Sequence, residues 1–337
     1  MNDPCKEPIG SGWLVNQIPI ALAAPPGLIT PVSRKQSDLF LALALVFAVF
    51  LWGGNNVGVK VLVGTWPPIW TGGSRFLCAG LLLAAFLNFS RRLGSPPISP
   101  QLRWRLWWQG GLSLAVYIVV FNTALRYTSA SHVALYLGAS PVWALFWEGM
   151  PAWTWHSARR YGAAMLALSG VGFLFWPAIQ TGESTWLGEV LGLAASVLWT
   201  HYGRQCRALA AELPSPKVTA ATMWRAGALL TPLSLIEIHK TGLVWSTELV
   251  LIQVYCILGG GVVAFGIWNY ALKRWPASQV LLFNNLIPLS TTGWVAVCFK
   301  EPIPGTFWLA MLLVVTGVLL GQANWQSLLP ARAVPPE

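Results

Sequence analysis

Ten apolar runs follow one another between residues 39 and 326, separated by short polar breaks. Each holds roughly 17–23 residues, the length of a membrane-spanning helix. Because lipid offers no partner to an unpaired backbone amide or carbonyl, each run must be helical. Only 9% of the residues are charged, far below the roughly 25% of an ordinary soluble domain. We therefore expect an all-α polytopic membrane protein with ten transmembrane helices, over about residues 39–59, 67–89, 106–124, 132–150, 161–177, 187–203, 218–238, 249–270, 277–298 and 306–326.

An internal duplication divides these runs into two groups of five. The stretch from Asn122 to Pro141 returns as Asn269 to Pro288, shifted by 147 positions without a gap, with eight of the twenty residues identical. The same shift places Trp52 on Trp199. Because five is an odd number, the second unit enters the membrane upside down relative to the first. The sequence thus predicts a 5+5 inverted-topology repeat, an arrangement typical of secondary transporters with solute sites between the repeats.

Basic residues lie mostly on one side of the predicted membrane. With the N-terminus in the cytoplasm, fifteen Lys and Arg residues fall on the cytoplasmic side and four on the outer side, as the positive-inside rule requires. These charges face anionic lipid. The net charge of +10 is therefore explained without a nucleic-acid partner. We expect a multi-pass protein of the cell (inner) membrane with both termini in the cytoplasm. The expected domains are a flexible cytoplasmic tail (residues 1–36), a first repeat (37–180), an inverted second repeat (185–327) and a cytoplasmic tail (328–337).

Several segments, in their order and spacing, resemble those of a known family. The first run contains LWGGNNVGVK, the third and fourth contain ALRYTSASHVALYLGASP, and the eighth and ninth contain WNYALKRWPASQVLLFNNLIP. Over about residues 38–326 the chain is similar to the EamA-type branch of the drug/metabolite transporter superfamily. The resemblance implies one EamA-type unit per repeat, cytoplasmic termini, and alternating access to a central cavity for small metabolites, amino acids among them. The chain departs from the family at one position. The family usually has a glutamate after the fourth span and another after the ninth; Glu301 follows the ninth span here, but Thr154 occupies the position after the fourth.

Two arginines lie inside the predicted spans. Arg75 is about eight residues into the second run and Arg225 about seven residues into the seventh, which are equivalent runs of the two repeats. A charge at this depth is costly and usually faces the bundle interior or a water-filled cavity. One interpretation is that each side chain snorkels to an interface or pairs with an acid near a helix end. The other is that one of them attracts the carboxylate of a solute.

Amide and aromatic side chains within the spans complete the candidate solute site. An asparagine in the membrane must hydrogen-bond within the protein, most commonly to a neighbouring helix. Each of these asparagines can therefore serve either helix packing or solute binding. Trp52 and Trp199 are mid-span, unlike the tryptophans at span ends, which are typical of the membrane interface. Such a pocket suits a small amphipathic or zwitterionic solute. The predicted substrate-binding residues are Trp52, Asn55, Asn56, Arg75, Tyr117, Tyr136, Trp199, Tyr202, Arg225, Trp268, Asn284 and Asn285.

Two repeat-equivalent prolines lie about ten residues into the fourth and ninth runs. Pro141 and Pro288 lack an amide hydrogen and clash with the preceding turn, so each is expected to kink its helix near the middle of the membrane. The carbonyl that each kink frees needs a partner. Packing against a neighbouring helix and lining of a cavity are both compatible with this role.

No pattern in the sequence predicts a metal site, a cofactor or a catalytic residue. The five cysteines and four histidines are dispersed, and neither HExxH nor paired aspartates occur. An intramembrane lipid-modifying enzyme, the alternative of a different class, is therefore disfavoured. A nucleotide-sugar or sugar-phosphate antiporter of the same superfamily would need more cationic contacts than Arg75 and Arg225 offer. A channel would need a filter motif.

The main prediction is a secondary transporter that moves amino acids or similar amphipathic metabolites, in the direction of export, by alternating access between the two repeats. Energy coupling stays open between uniport or exchange and proton antiport, because neither His132 nor Glu148 lies centrally in its span. The expected partners are a small-molecule solute and the lipid bilayer, with a homodimer left open and no nucleic acid.

Overall fold

The computed structural model describes residues 34–89, 98–140, 143, 147, 158–159, 161–170, 173, 186–274, 280, 283–300, 303 and 305–322. These residues form ten helices and no strand. In the first repeat they are α1 (Arg34–Thr65), α2 (Pro68–Phe89), α3 (Pro100–Tyr127), α4 (Ala130–Gly138) and α5 (Tyr161–Gly170). In the second they are α6 (Trp186–Ala210), α7 (Ser215–Thr241), α8 (Thr247–Tyr255, Cys256–Val263 and Ala264–Arg274), α9 (Phe283–Leu286 and Ile287–Phe299) and α10 (Gly305–Gln322).

Length and composition agree with a protein that crosses the membrane many times. Among the described residues, four helical stretches are long and apolar enough to span a bilayer: Asp38–Thr65, Pro68–Phe89, Pro100–Tyr127 and Thr247–Ala271. Shorter apolar helices occupy Tyr161–Gly170, Ile287–Phe299 and Gly305–Gly317. The predicted all-α polytopic fold, with ten helices in two groups of five, is confirmed.

Repeat-equivalent tryptophans make reciprocal contacts between the two repeats. Trp52 of α1 packs on α8, with its ring centroid 5.3 Å from that of Phe265 and 5.2 Å from that of Trp268. Trp199 of α6 packs on α3, with its ring centroid 5.1 Å from that of Tyr117. In each case the first helix of one repeat contacts the third helix of the other. The two repeats therefore pack against each other through equivalent residues, because Trp52 and Trp199 are 147 positions apart in the sequence and make corresponding contacts.

The second helices of the two repeats, α2 and α7, approach each other through glycines. A Cβ atom built on Gly80 would lie 2.3 Å from the backbone nitrogen of Trp224. One built on Gly227 would lie 2.5 Å from the backbone nitrogen of Leu77. Small residues at a helix contact let two backbones approach closely, which membrane proteins use for packing in the absence of water. This contact places Arg75, five residues before Gly80, in the interior of the bundle.

Each third helix contains a π-helical stretch that faces a helix of the other repeat. In α3 the stretch is Leu106–Gly111, and in α8 it is Cys256–Val263. A Cβ atom on Gly111 would lie 3.0 Å from the Cβ of Arg225, and one on Gly260 would lie 2.5 Å from Oδ1 of Asn55. π-helical turns are rare and occur frequently at functional sites. The residues that face these two stretches, Arg225 and Asn55, are therefore candidates for a functional site.

The helix type of α9 changes at the predicted proline position. A 3₁₀ turn, Phe283–Leu286, precedes an α-helix that begins at Ile287, and Pro288 is buried in the first turn of that α-helix. Proline fits a first helical turn because the amide hydrogen it lacks has no intrahelical partner there. Pro288 thus lies where the 3₁₀ turn gives way to an α-helix, whereas Pro141 lies outside the described residues.

Glu237 of α7 caps the start of α2. Its Oε2 accepts hydrogen bonds from the backbone nitrogens of Ile69, at 2.9 Å, and Trp70, at 3.1 Å. A carboxylate at a helix N-terminus satisfies free amides and interacts favourably with the helix dipole.

Glu237→Ala is therefore expected to lower the free energy of unfolding by about 1 kcal/mol. Thermal unfolding of the purified protein in detergent measures this change. Glu248→Ala is the matched control, since Glu248 is an exposed acid in the first turn of α8. Equal losses in the two variants would contradict the capping role.

Candidate functional site

Arg75 is a buried cation held by an amide. It lies in α2 with 6% of its surface exposed, and its Nη1 donates to Oδ1 of Asn55 on α1 at 3.0 Å. The guanidinium carbon also lies 4.4 Å from the ring centroid of Phe76. These neutral contacts orient the guanidinium and do not neutralise its charge.

No carboxylate pairs with Arg75 among the residues that the structure describes. Ion pairs in this part of the chain are Arg105 with Glu212 and His132 with Glu189. A buried charge is costly unless it is paired and hydrogen-bonded. Within the described residues, the charge of Arg75 is therefore buried without a counter-charge.

A buried amide from α8, that of Gln253, contacts the turn of α2 that precedes Arg75. Nε2 of Gln253 donates to Oγ of Ser74 at 2.8 Å and to the carbonyl of Thr71 at 3.1 Å. Its Oε1 is buried and has no hydrogen-bond partner in the described part of the protein. Since buried polar atoms are nearly always paired, this oxygen is a free acceptor close to the Arg75 turn of α2.

Contacts of α1 extend the polar set towards α8 and α9. Nε1 of Trp52 donates to the carbonyl of Gly260 at 3.0 Å, within the π-helical stretch. Nδ2 of Asn56 donates to Oγ1 of Thr291 at 3.1 Å, in the turn after Pro288. Asn55 and Asn56 thus contact helices of different repeats, and Trp268 is half-buried against Trp52.

A second group of predicted residues forms an aromatic cluster between α3, α6 and α7. The ring centroids of Tyr117 and Trp199 are 5.1 Å apart, and those of Trp199 and Tyr202 are 5.6 Å apart. The hydroxyl of Tyr202 lies 2.9 Å from Oγ1 of Thr222. Tyr117 is also within electrostatic range of Arg75, so this cluster adjoins the arginine.

Arg225 differs from Arg75 in what surrounds it. Its Nη1 donates to the carbonyl of Ala221 in its own helix at 3.0 Å. Its guanidinium carbon lies 4.2 Å from the ring centroid of Trp224 and 5.4 Å from that of Trp107. Aromatic faces attract a cation, so Arg225 is stabilised by rings and by its own backbone. The two repeat-equivalent arginines therefore differ in their hydrogen-bond partners: Arg75 donates to the side chain of another helix and Arg225 to the backbone of its own.

Among the other predicted residues, Tyr136 lies apart from the Arg75 group. Tyr136 is fully buried, and its hydroxyl donates to Oε2 of Glu189 on α6. Asn284 and Asn285 lie in the 3₁₀ turn of α9, where Asn284 is half-buried. The structure thus brings Trp52, Asn55, Asn56, Arg75, Tyr117 and Trp268 into neighbouring contacts and leaves Tyr136 in a separate polar cluster.

A comparison with protein families identifies these repeats. The model of the EamA-like transporter family matches residues 39–176 and again residues 186–321. The chain belongs to the EamA-like transporter family. It is therefore a multi-pass membrane protein of a transporter family, as the resemblance in the sequence implied.

Curated proteins similar to this EamA-like transporter are also described as transporters. An uncharacterized transporter of Archaeoglobus fulgidus is 23% identical over 86% of this chain and 99% of its own length. The uncharacterized inner membrane transporter YedA of Escherichia coli K12 is 26% identical over 89% of this chain and 95% of its own. A probable amino-acid metabolite efflux pump of Escherichia coli K12 is 24% identical, with coverages of 86% and 95%.

A solved crystal structure shares the fold of this EamA-like transporter. It covers 88% of this chain and 99% of its own, with a TM-score of 0.58 and 20% sequence identity. At this identity the likeness concerns the arrangement of the helices alone.

Sequence reasoning missed two buried polar residues of this EamA-like transporter. Gln253 could have been found from the sequence, because it is a long polar side chain inside an otherwise apolar run. Glu189 is 0% exposed, but its place near the start of a span made it resemble an ordinary acid at a span end. Its partners precede it by 53 to 61 positions, so no local pattern reveals them.

Proposed function

We propose that this EamA-like transporter exports small zwitterionic metabolites, such as amino acids, with Arg75 binding the solute carboxylate. The observation that carries the proposal is a buried guanidinium for which the described residues provide no carboxylate. The planar guanidinium matches a carboxylate through two parallel hydrogen bonds. A solute carboxylate would supply the missing counter-charge.

The other half of a zwitterion also has a candidate ligand. The free Oε1 of Gln253 is an acceptor suited to an ammonium group, whereas Arg75 repels one. The rings of Tyr117 and Trp52 flank this region through their contacts with α6 and α8, and they suit the apolar part of a metabolite. Similarity to the Escherichia coli efflux pump supports both the solute class and the direction of transport.

Alternating access between the repeats is the mechanism that we infer. Arg75 and Asn55 belong to the first repeat, and Gln253 and Gly260 to the second. A solute held between them would bind to both repeats and would be released when one repeat moves relative to the other. The distribution of basic residues supports cytoplasmic termini, and the similarity to YedA supports an inner membrane location.

Counterflow in liposomes tests this proposal. Purified protein would be reconstituted with an unlabelled amino-acid mixture inside, and uptake of each radiolabelled amino acid would be measured. We expect uptake of one or more amino acids that the free amino acid inhibits, while its methyl ester and its decarboxylated amine inhibit at least about tenfold less. Equal inhibition by the ester would contradict a carboxylate site.

A sugar phosphate belongs in the same panel. A phosphate ester needs several cationic contacts, and Arg75 has no second cation in its described contacts. We therefore expect no counterflow with the sugar phosphate, and its uptake would assign this protein to a different solute class.

A further inference from the structure

Glu189 is the centre of a polar cluster that no part of the solute site uses. Its carboxylate is fully buried in α6 and accepts hydrogen bonds from the hydroxyls of Thr128 and Tyr136. Nδ1 of His132 lies 2.9 Å from its Oε1. Thr128 belongs to the turn between α3 and α4, and the other two partners belong to α4. The cluster therefore fastens the first repeat to the first helix of the second.

Groups from three neighbouring helices lie at this cluster or its rim. From α1, Nζ of Lys60 donates to the carbonyl of Thr128 at 2.8 Å. From α10, the ring of Phe307 stacks on His132 with centroids 6.5 Å apart and an interplanar angle of 8°. At the end of α3, Arg126 and Tyr127 are exposed. The one group that pairs electrostatically with the Glu189 carboxylate among the described residues is His132.

His132 is the exposed end of the cluster and lies in the first turn of α4, beside the loop between α3 and α4. Its side chain is 22% exposed, whereas that of Glu189 is 0% exposed. Protons can therefore reach the imidazole while the carboxylate stays buried. Imidazole changes charge within the physiological pH range, and buried Glu and His residues serve as proton sites in membrane proteins.

The charge of this pair decides whether the cluster is stable. Two hydroxyls donate to the Glu189 carboxylate, and the imidazole of His132 lies beside it. When His132 is protonated, the buried anion has a counter-charge. When the proton leaves to water, the anion is left with neutral donors, and an uncompensated buried charge is strongly destabilising. Water must then enter, and α4 must loosen from α6.

We propose that His132 and Glu189 form a proton-operated lock, in which one proton bound to the pair closes this end of the bundle. The step is a proton transfer between water and the imidazole, with no other bond made or broken. The lock favours the closed arrangement at low pH and releases it as pH rises. It uses none of the residues assigned to the solute, so it stands whether or not the solute is an amino acid.

Hydrogen–deuterium exchange followed by mass spectrometry tests the lock without a solute. Purified protein in detergent would be labelled at about pH 6 and about pH 8, with exchange times corrected for intrinsic rates. Opening linked to one proton changes by up to about tenfold per pH unit. We expect the amides of Ala130–Gly138 to be protected at least about tenfold more strongly at the lower pH.

Matched variants decide whether the pair causes this difference. Glu189→Gln keeps the size of the side chain but removes its charge, and His132→Gln removes the imidazole, so both should abolish the pH difference. Glu237→Gln changes an acid that caps α2 and is not bonded to a histidine, and it should retain the difference. Equal protection at both pH values in the wild type would overturn the lock, as would a pH difference that survives in Glu189→Gln. If Glu189→Gln does not fold, His132→Gln decides by the same readout.

Discussion

Arg75→Gln is expected to weaken the apparent affinity for zwitterionic solutes by about 100-fold. A hydrogen bond to a charged group contributes about 1.5–3 kcal/mol, and every 1.4 kcal/mol corresponds to about tenfold in affinity. Glutamine can still donate to Oδ1 of Asn55, the partner of Arg75 at 3.0 Å, so the helix contact is preserved. The concentration dependence of counterflow in liposomes measures the change.

Two further arginine variants show whether charge, shape or position is responsible. Arg75→Lys keeps the positive charge but loses the planar fork, so we expect an intermediate loss of about tenfold. Arg126→Gln removes a cation from the exposed end of α3 and should leave the affinity unchanged. If Arg75→Gln transports with unaltered affinity, or if Arg126→Gln is equally impaired, the solute carboxylate does not bind Arg75.

The fold was predictable because its signals are long and periodic. A run of about twenty apolar residues has few alternatives to a membrane helix, and the 147-residue offset assigns the runs to two repeats. In the structure the repeat-equivalent residues make equivalent contacts, since Trp52 packs on α8 and Trp199 packs on α3. The two π-helical stretches were not predictable, because a shift in backbone hydrogen bonding leaves no trace in hydropathy.

The sequence predicted several residues of the candidate site but not which residues contact one another. A buried arginine and tandem asparagines stand out in an apolar chain, but the sequence does not show which helix each side chain meets. Tyr136 illustrates the difference. Its place as an aromatic residue within a span suggested solute contact, whereas its hydroxyl donates to Glu189, 53 residues away. Which side of α4 faces α6 depends on helix rotation, and rotation is set by packing between helices distant in sequence.

Gly80→Leu is expected to have the largest effect on stability of any substitution considered for this protein. A Cβ atom at this position would lie 2.3 Å from the backbone nitrogen of Trp224, 2.8 Å from its Cα and 2.9 Å from the carbonyl carbon of Met223. All three are backbone atoms, so no rotamer change relieves the contact, and α2 and α7 must separate. Overpacking alone costs about 1–3 kcal/mol, and separation also removes the close approach of Gly227 to Leu77.

We expect Gly80→Leu to lower the melting temperature in detergent by about 10 °C or to prevent recovery of monodisperse protein. Gly266→Leu is the control for side-chain size, because nothing lies within 4 Å of a Cβ atom at Gly266. It should melt close to the wild type. Comparable losses in Gly80→Leu and Gly266→Leu would show that the α2–α7 contact is not the cause.

Alanine variants of two glycines in α2 separate backbone contact from side-chain contact. A Cβ atom at Gly73 would lie 2.9 Å from Oγ of Ser234 and 3.2 Å from Cβ of Leu230, and a hydroxyl can rotate away. Gly73→Ala should therefore be tolerated, whereas Gly80→Ala meets backbone of α7 and should still destabilise by about 1 kcal/mol or more. Since both changes add one methyl group to the same helix and raise its helix propensity equally, only the nature of the opposing atoms distinguishes them. A Gly80→Ala protein as stable as Gly73→Ala would mean that α7 can move away from α2 at little cost, as a sliding contact between the repeats would allow.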